Sequence, residues 1–235
     1  MCEMSEKKMK KIALSGVMGA GKSSVIAVLK EAGIPVFDCD EINAQLLRPK
    51  EAGHAALLER YGSRFIDAKG EIDRQALSDH MFETAEGRRE VEAILHPLIK
   101  QRLQEEMAHC GSEIAVAEVP LLFECGWQDA FDETWVVAAD EDILIARLKG
   151  RGVSEQEARR RLAAQMSQEE KIALCDVVLY NNADRESLKR QVLACLERHR
   201  GADEQRGRMH DHPLPDALRA GSSGAQPAVW AADGP

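Results

Sequence analysis

The sequence predicts an α/β fold in three layers, a parallel sheet of about five strands with helices on both faces. Three observations predict it. Short apolar runs at 11–16 (KIALSG), 34–37 (IPVF), 114–119 (IAVAEV), 135–138 (WVVA) and 177–180 (VVLY) have the length and continuity of strands buried on both faces. Stretches of helical periodicity separate most of them. The first run leads directly into Gly16-Val17-Met18-Gly19-Ala20-Gly21-Lys22-Ser23, a G-x-x-x-x-G-K-[ST] loop whose proper place is between a strand and a helix.

Taken in order, the strand at 11–16 ends on Gly16. A helix follows at 23–32, with Val25, Ile26, Val28, Leu29 and Ala32 on its apolar side and Gly33 closing it. Pro35 is tolerable near the start of the next strand. The segment 41–112 is too long for a plain crossover. It holds a helical piece at 42–60, turn signals at Tyr61-Gly62 and Lys69-Gly70, and a helix at 86–110 that His96-Pro97 interrupts. It reads as an inserted helical subdomain covering a substrate. Arginines cluster from 147 to 161, and Arg-Gly-Val-Ser at 151–154 breaks the helix there. Ser154 with Glu157 carries a capping-box signature. A helix–turn–helix bearing arginines, about 147–166, fits a closing lid. From 201 the chain turns rich in Gly, Pro, Ala and Asp without a sustained period, which predicts a disordered tail over 201–235 behind a domain at 1–200.

Composition narrows the function classes. Aromatics are only 4%, so the core rests on Leu, Ile, Val and Ala. A net charge of −9 makes nucleic acid a poor partner and requires any phosphate site to be local. The six cysteines show no C-x-x-C or other metal spacing, which reads as reduced thiols in a cytoplasmic protein. No leader-like apolar segment and no 18-residue apolar run appears, so no membrane partner is expected.

The loop carries the chemistry. Its glycines permit backbone turns that aim successive N–H groups at phosphate oxygens, and the following helix start adds partial positive charge. Gly16, Gly19, Ala20, Gly21, Lys22, Ser23 and Ser24 form this nucleotide cradle. Lys22 reaches the β- and γ-phosphates, and Ser23 ligates Mg²⁺. A GTPase would read guanine through N-K-x-D; Asn181-Asn182-Ala183-Asp184 lacks the Lys.

Carboxylates face the same sheet edge, because the carboxyl ends of parallel strands line the ligand crevice. Asp40 can take the proton of an attacking hydroxyl, or cap the helix that starts near Glu41. Asp38 can reach a metal-bound water. Glu118, at the end of the third strand, can hold Mg²⁺ through water; Glu124 is a second acid nearby, with solvent exposure its simpler reading. Arg147 and Arg151, four apart on one helical face, deliver cation to the phosphoryl oxygens. Arg159, Arg160 and Arg161 join them or lace an exposed face with Glu–Arg pairs. His96 contacts substrate or fills the kink.

These motifs together resemble dephospho-CoA kinase from about residue 11 to 198. They are SGVMGAGKSS, VFDCDEI, GEIDRQAL followed by Phe82, LHPLI at 95–99, VPLLFE at 119–124, RLAAQ at 161–165 and CDVVLYNN at 175–182. The resemblance implies a P-loop NTPase sandwich with a CoA-binding insertion and a lid. It implies ATP-dependent phosphorylation of the ribose 3′-hydroxyl of dephospho-CoA, with Mg²⁺. Asp40 would be the catalytic carboxylate and His96 part of the CoA-binding region, with Asn181 and Asn182 near the adenine of ATP. Its partners would be these two small molecules, on a monomer or weak homo-oligomer. Val17, Ala20 and Ser24 depart from the family's TGGIGSGKST, and Cys175 stands where Ala is usual; the Gly16, Gly21, Lys22, Ser23 framework is intact. A nucleoside monophosphate kinase is the nearest rival, with Arg48, Arg60, Arg64, Arg74, Arg88 and Arg89 available to anchor a phosphorylated acceptor. A nucleotide-dependent switch would show hydrolysis without acceptor dependence.

Overall fold

Alternation along short strands decides which side chains meet which helix layer. The structure, a computed structural model, describes residues 9–209, with side chains through residue 199. Its elements are β1 (Lys10–Ser15), α1 (Lys22–Glu31), β2 (Val36–Asp38), α2 (Cys39–Leu46), α3 (Ala52–Tyr61), α4 (Arg74–Glu83), α5 (Ala85–His109), β3 (Ile114–Glu118), β4 (Glu133–Ala138), α6 (Glu141–Gly150), α7 (Glu155–Ala163), α8 (Gln168–Leu174), β5 (Val177–Tyr180) and α9 (Arg185–Met209). The five strands pair in parallel in the order β2-β3-β1-β4-β5, with helices flanking the sheet. The loop and the other strands stand close to where the sequence places them, but β2 is shifted from the expected 34–37 to Val36–Asp38, and the helical piece expected at 42–60 is two helices, α2 and α3.

On one face Ala13, Ala115, Ala117 and Val136 join a core with residues of α2 to α5. The small alanines let those helices approach the sheet closely. The intervening Ile12, Leu14, Val116, Trp135 and Val137 are equally buried and point to the other face. Helix α5 presents Val91, Leu95, Ile99, Leu103 and Met107 as one i, i+4 stripe, all buried. Each Leu-sized side chain so buried contributes about 1.5–3 kcal/mol, which makes this stripe a main anchor of the insertion.

One expectation is overturned here. Pro97 does not interrupt its helix; α5 runs through it. Proline removes the N–H that would reach the carbonyl of Ala93. Both Ala93 and Pro97 lie on the exposed side, where water can serve that carbonyl, while Leu95 and Ile99 hold the buried side.

The chain divides into two units at Ala194/Cys195, and the sheet lies wholly within the first. The expected boundary at 200 falls inside α9, which continues to Met209; the remainder of the expected tail, 210–235, lies outside the described residues. No described helix is long and apolar enough to cross a membrane.

Candidate active site

The phosphate loop joins β1 to α1, and its glycines are there for space as well as torsion. Gly16 has φ +147°, and a Cβ there would lie 2.6 Å from the Val137 carbonyl oxygen. Gly21, at φ +103°, is the N-cap of α1; a Cβ there would sit 2.0 Å from Asn181 Nδ2. No side chain caps α1, which leaves its first amides facing the loop's mouth. Lys22 Nζ donates to the Gly16 carbonyl at 3.0 Å, bridging the loop. The Met18 N–H donates to Gln165 Oε1 at 3.3 Å.

A loop whose amides point inward turns carbonyls outward, and these need donors. Asn181 Nδ2 donates to the Ala20 carbonyl at 2.8 Å. Arg147 donates from Nη1 to Ala20 and Gly19 at 3.1 and 3.3 Å, and from Nη2 to the Asn181 carbonyl at 2.8 Å. Arg147, expected on a lid, therefore braces the back of the loop from the last turn of α6. It also borders a polar pocket of about 290 Å³ over the start of α1, with Ser23, Ser24, Arg151, Asn181 and Arg185. Arg185 was not singled out from sequence; it pairs with Glu31. Asn182 exchanges hydrogen bonds with Asp140 at 2.8 Å, outside that pocket lining.

The outer arginines take the plainer of their two readings. Arg159 pairs with Glu155 and Glu141, and Arg160 and Arg161 pair with Glu157, all at the surface. That also leaves the box at Ser154 half made. Ser154 Oγ accepts the Glu157 N–H, but the Glu157 carboxylate turns to the arginines. A complete capping box starts α8 instead, at Ser167 and Glu170.

The acidic residues separate into distinct jobs. In register, Asp38 of β2 lies beside Glu118 of β3. Asp38 is the N-cap of α2, accepting the N–H groups of Asp40 and Glu41 at 2.8 and 3.3 Å. The capping role considered for Asp40 thus falls to Asp38, two residues earlier, and the Asp40 carboxylate does not cap the helix. Burial, then the charge of Asp38, pushes the Asp40 carboxyl above its ordinary range, and Lys22 opposes this. Burial also raises Glu118, with Lys22 opposing and Asp38 and Asp40 adding. Burial lowers the pKa of Lys22 in turn; Glu118 and Asp40 oppose this, and the like charges of Lys171 and Arg151 add to it. Lys22, Asp40 and Glu118 form one electrostatic cluster with an excess of acid.

Beside it lies a mainly apolar pocket of about 220 Å³, walled by α2, α4 and α5 on one side and residues 119–127 on the other. Asp40, Asn43, Glu92 and His96 supply polar groups among Leu47, Leu77, Met81, Leu95, Ile99 and Trp127. His96 meets the Trp127 ring edge-on at 5.5 Å, with Cys125 Sγ at 4.0 Å, and burial lowers its pKa, so the imidazole is neutral near pH 7. Asn43, which no sequence signal marked, lies one turn beyond Asp40; its Oδ1 is buried without a hydrogen-bond partner. Glu124 is exposed, as its simpler reading expects, but its carboxylate is held by Lys171, a residue the sequence did not single out. Several arginines offered for a phosphorylated acceptor are already engaged. Arg60 pairs with Glu90, Arg88 with Glu92, and Arg74 reaches the Ala44 carbonyl.

Comparison with known proteins gives consistent findings. A family model described as dephospho-CoA kinase matches residues 10–187. The dephospho-CoA kinase of Geobacillus kaustophilus is 38% identical over 190 residues, 79% of this chain and 94% of that protein. That of Geobacter sulfurreducens is 36% identical over 185 residues, covering 77% and 94%. Among solved structures, TT1252 from Thermus thermophilus superposes with a TM-score of 0.71 at 33% identity, covering 81% of this chain and 97% of that one. A dephospho-CoA kinase from Campylobacter jejuni, at 20% identity and a TM-score of 0.63, covers 83% and 100% and shares the fold.

Proposed function

The chain belongs to the dephospho-CoA kinase family, and from that premise we propose how its residues carry out the ATP-dependent phosphorylation of dephospho-CoA. The polar pocket over α1 takes ATP, and the apolar pocket under the insertion takes the acceptor. The observation that carries this division is Asp40, which lines the acceptor pocket and shares an electrostatic cluster with Lys22 of the phosphate loop.

In this reading the acceptor's ribose 3′-hydroxyl approaches the γ-phosphorus in line. Asp40 accepts the hydroxyl proton as the new O–P bond forms and the bond to the β-phosphate oxygen breaks. Lys22 exchanges the Gly16 carbonyl for phosphate oxygens, and Arg151, at the rim of the same pocket, adds positive charge there. Asn181 and Arg147 act by keeping the loop's carbonyls satisfied and its amides aimed inward. His96, neutral, offers the acceptor a hydrogen bond from a mainly apolar wall.

Mg²⁺ fits the residues present. Among the described residues no cluster of three His, Cys, Asp or Glu side chains forms a metal cage. Mg²⁺ at kinase sites needs few protein ligands, since phosphate oxygens and water supply the rest. Ser23 and Glu118 would hold it, and the ion would offset the negative charge of the transferring phosphoryl group. A reducing cytoplasm suits the five described cysteines, all free thiols.

The position of the added phosphate tests the acceptor geometry. Through-bond ³¹P–¹H correlation on the product is expected to link the new phosphorus to ribose H3′. Coupling to H2′ would contradict the placement of the hydroxyl against Asp40.

A further inference from the structure

We infer that Lys171 and Glu124 form a positioning pair that sets the acceptor wall at a fixed distance from the phosphate loop. The inference rests on reading the apolar pocket as the acceptor site. The Lys171 side chain is 1% exposed. Its Nζ donates to both Glu124 oxygens at 2.7 and 2.8 Å and to the Pro120 carbonyl at 3.3 Å, and lies 5.9 Å from the centre of the Phe123 ring. Lys171 is buried while the Glu124 side chain is 24% exposed, and an apolar side chain in place of the buried ammonium could stabilise the fold as well, so stability alone gives little reason for the pair.

Its connections give a better one. Pro120, Leu121, Cys125 and Trp127 line the acceptor pocket, while Glu124 turns away from it to meet α8. The wall's start is tied to the strand feeding the phosphate loop: the Val119 N–H donates to Leu14 at 2.9 Å, and Ser15 Oγ donates to the Pro120 carbonyl at 3.2 Å. Helix α8 is tied to the donor side as well. Gln165, just before it, accepts the Met18 N–H, and the Gln168 amide makes two hydrogen bonds with Ala139 at 3.0 and 3.1 Å. Lys171 closes this ring from loop to α8 to wall and back to β1. In-line transfer is sensitive to misplacement of about 1 Å, which costs on the order of a hundredfold. A wall shifted by that much would misplace the acceptor and leave ATP where it is.

The test compares three variants with the parent enzyme. Glu124→Asp keeps both charges but shortens the arm by one methylene. Lys171→Met with Glu124→Leu replaces the pair by apolar volume. Asn43→Trp fills the pocket from its lip. The pair variants are expected to keep the KM for ATP and to lose about ten- to a hundredfold in kcat/KM for dephospho-CoA. A parent-like acceptor kcat/KM in folded Glu124→Asp, or in the double variant, would overturn the inference; Glu124→Asp decides the matter if the double variant does not fold. Asn43→Trp separates the two claims. If it alone lowers acceptor kcat/KM, the pocket reading stands and the pair is only packing. If it too has no effect, the pocket reading itself fails.

Discussion

Lys22→Ala is expected to lower kcat by about a hundred- to a thousandfold while the protein stays folded. The size follows from what the ammonium meets. It starts on the Gly16 carbonyl, half-buried, with Glu118 and Asp40 in its field. When phosphate enters, that field is joined by oxygens whose negative charge grows at the leaving group, and the alanine offers them no donor. Stability should change little. Burial lowers the pKa of Lys22, so the folded state holds its proton less tightly than the unfolded chain does. Removing the group relieves that penalty but also takes the counter-charge from Asp40 and Glu118, so thermal melting near neutral pH should show a Tm close to the parent's. Loss of activity with a nearly unchanged Tm separates chemistry from folding. A near-normal kcat would remove the loop from the donor site.

Asp40→Asn is expected to reduce kcat by about 10²- to 10⁴-fold with little change in the KM for ATP, because the amide accepts a hydrogen bond but not a proton. Its pH behaviour carries a second signature. The Asp40 carboxyl is raised by burial and by Asp38, so the acid limb of the parent's rate profile should lie above the ordinary carboxylate range. The Asn variant should lose that limb. Linkage gives the stability direction. A carboxyl with a raised folded pKa binds more protons in the folded state, so its contribution to stability declines as pH rises from the ordinary value through the raised one. Asp40→Asn should therefore be at least as stable as the parent at pH 7. An unchanged rate constant would take Asp40 out of the proton transfer.

Much of this was legible because the strands are short, apolar and bounded by turns, and because the glycine-rich loop has one structural context. The acids were legible only as a group. Asp38-Cys39-Asp40 offers two carboxylates two residues apart, and which one caps the helix depends on where the chain leaves the extended region. Asp38 does so, at φ −106° and ψ 116°, and Asp40 is thereby freed. Arg147 looked like a lid cation because its spacing from Arg151 was visible and the outward carbonyls of the loop were not. Pro97 looked like a break because sequence does not reveal that the carbonyl it orphans faces water. Lys171 was hidden for the opposite reason. In Glu169-Glu170-Lys171 a lysine reads as an exposed helix face, and only the fold shows that α8 buries it against Glu124. Asn43 carried no pattern at all, since its interest lies in an unpaired oxygen beside a pocket.

The central claim is that one site joins an ATP pocket to an acceptor pocket through Asp40. Its most direct test is ADP release from ATP–Mg²⁺ with and without dephospho-CoA, with mass detection of the acceptor product. The expected result is turnover that depends strongly on dephospho-CoA and yields a product carrying one added phosphoryl group, in step with ADP. Slow ADP release that ignores dephospho-CoA, with no phosphorylated acceptor, would leave the phosphate loop as a nucleotide site and contradict the account of the second pocket.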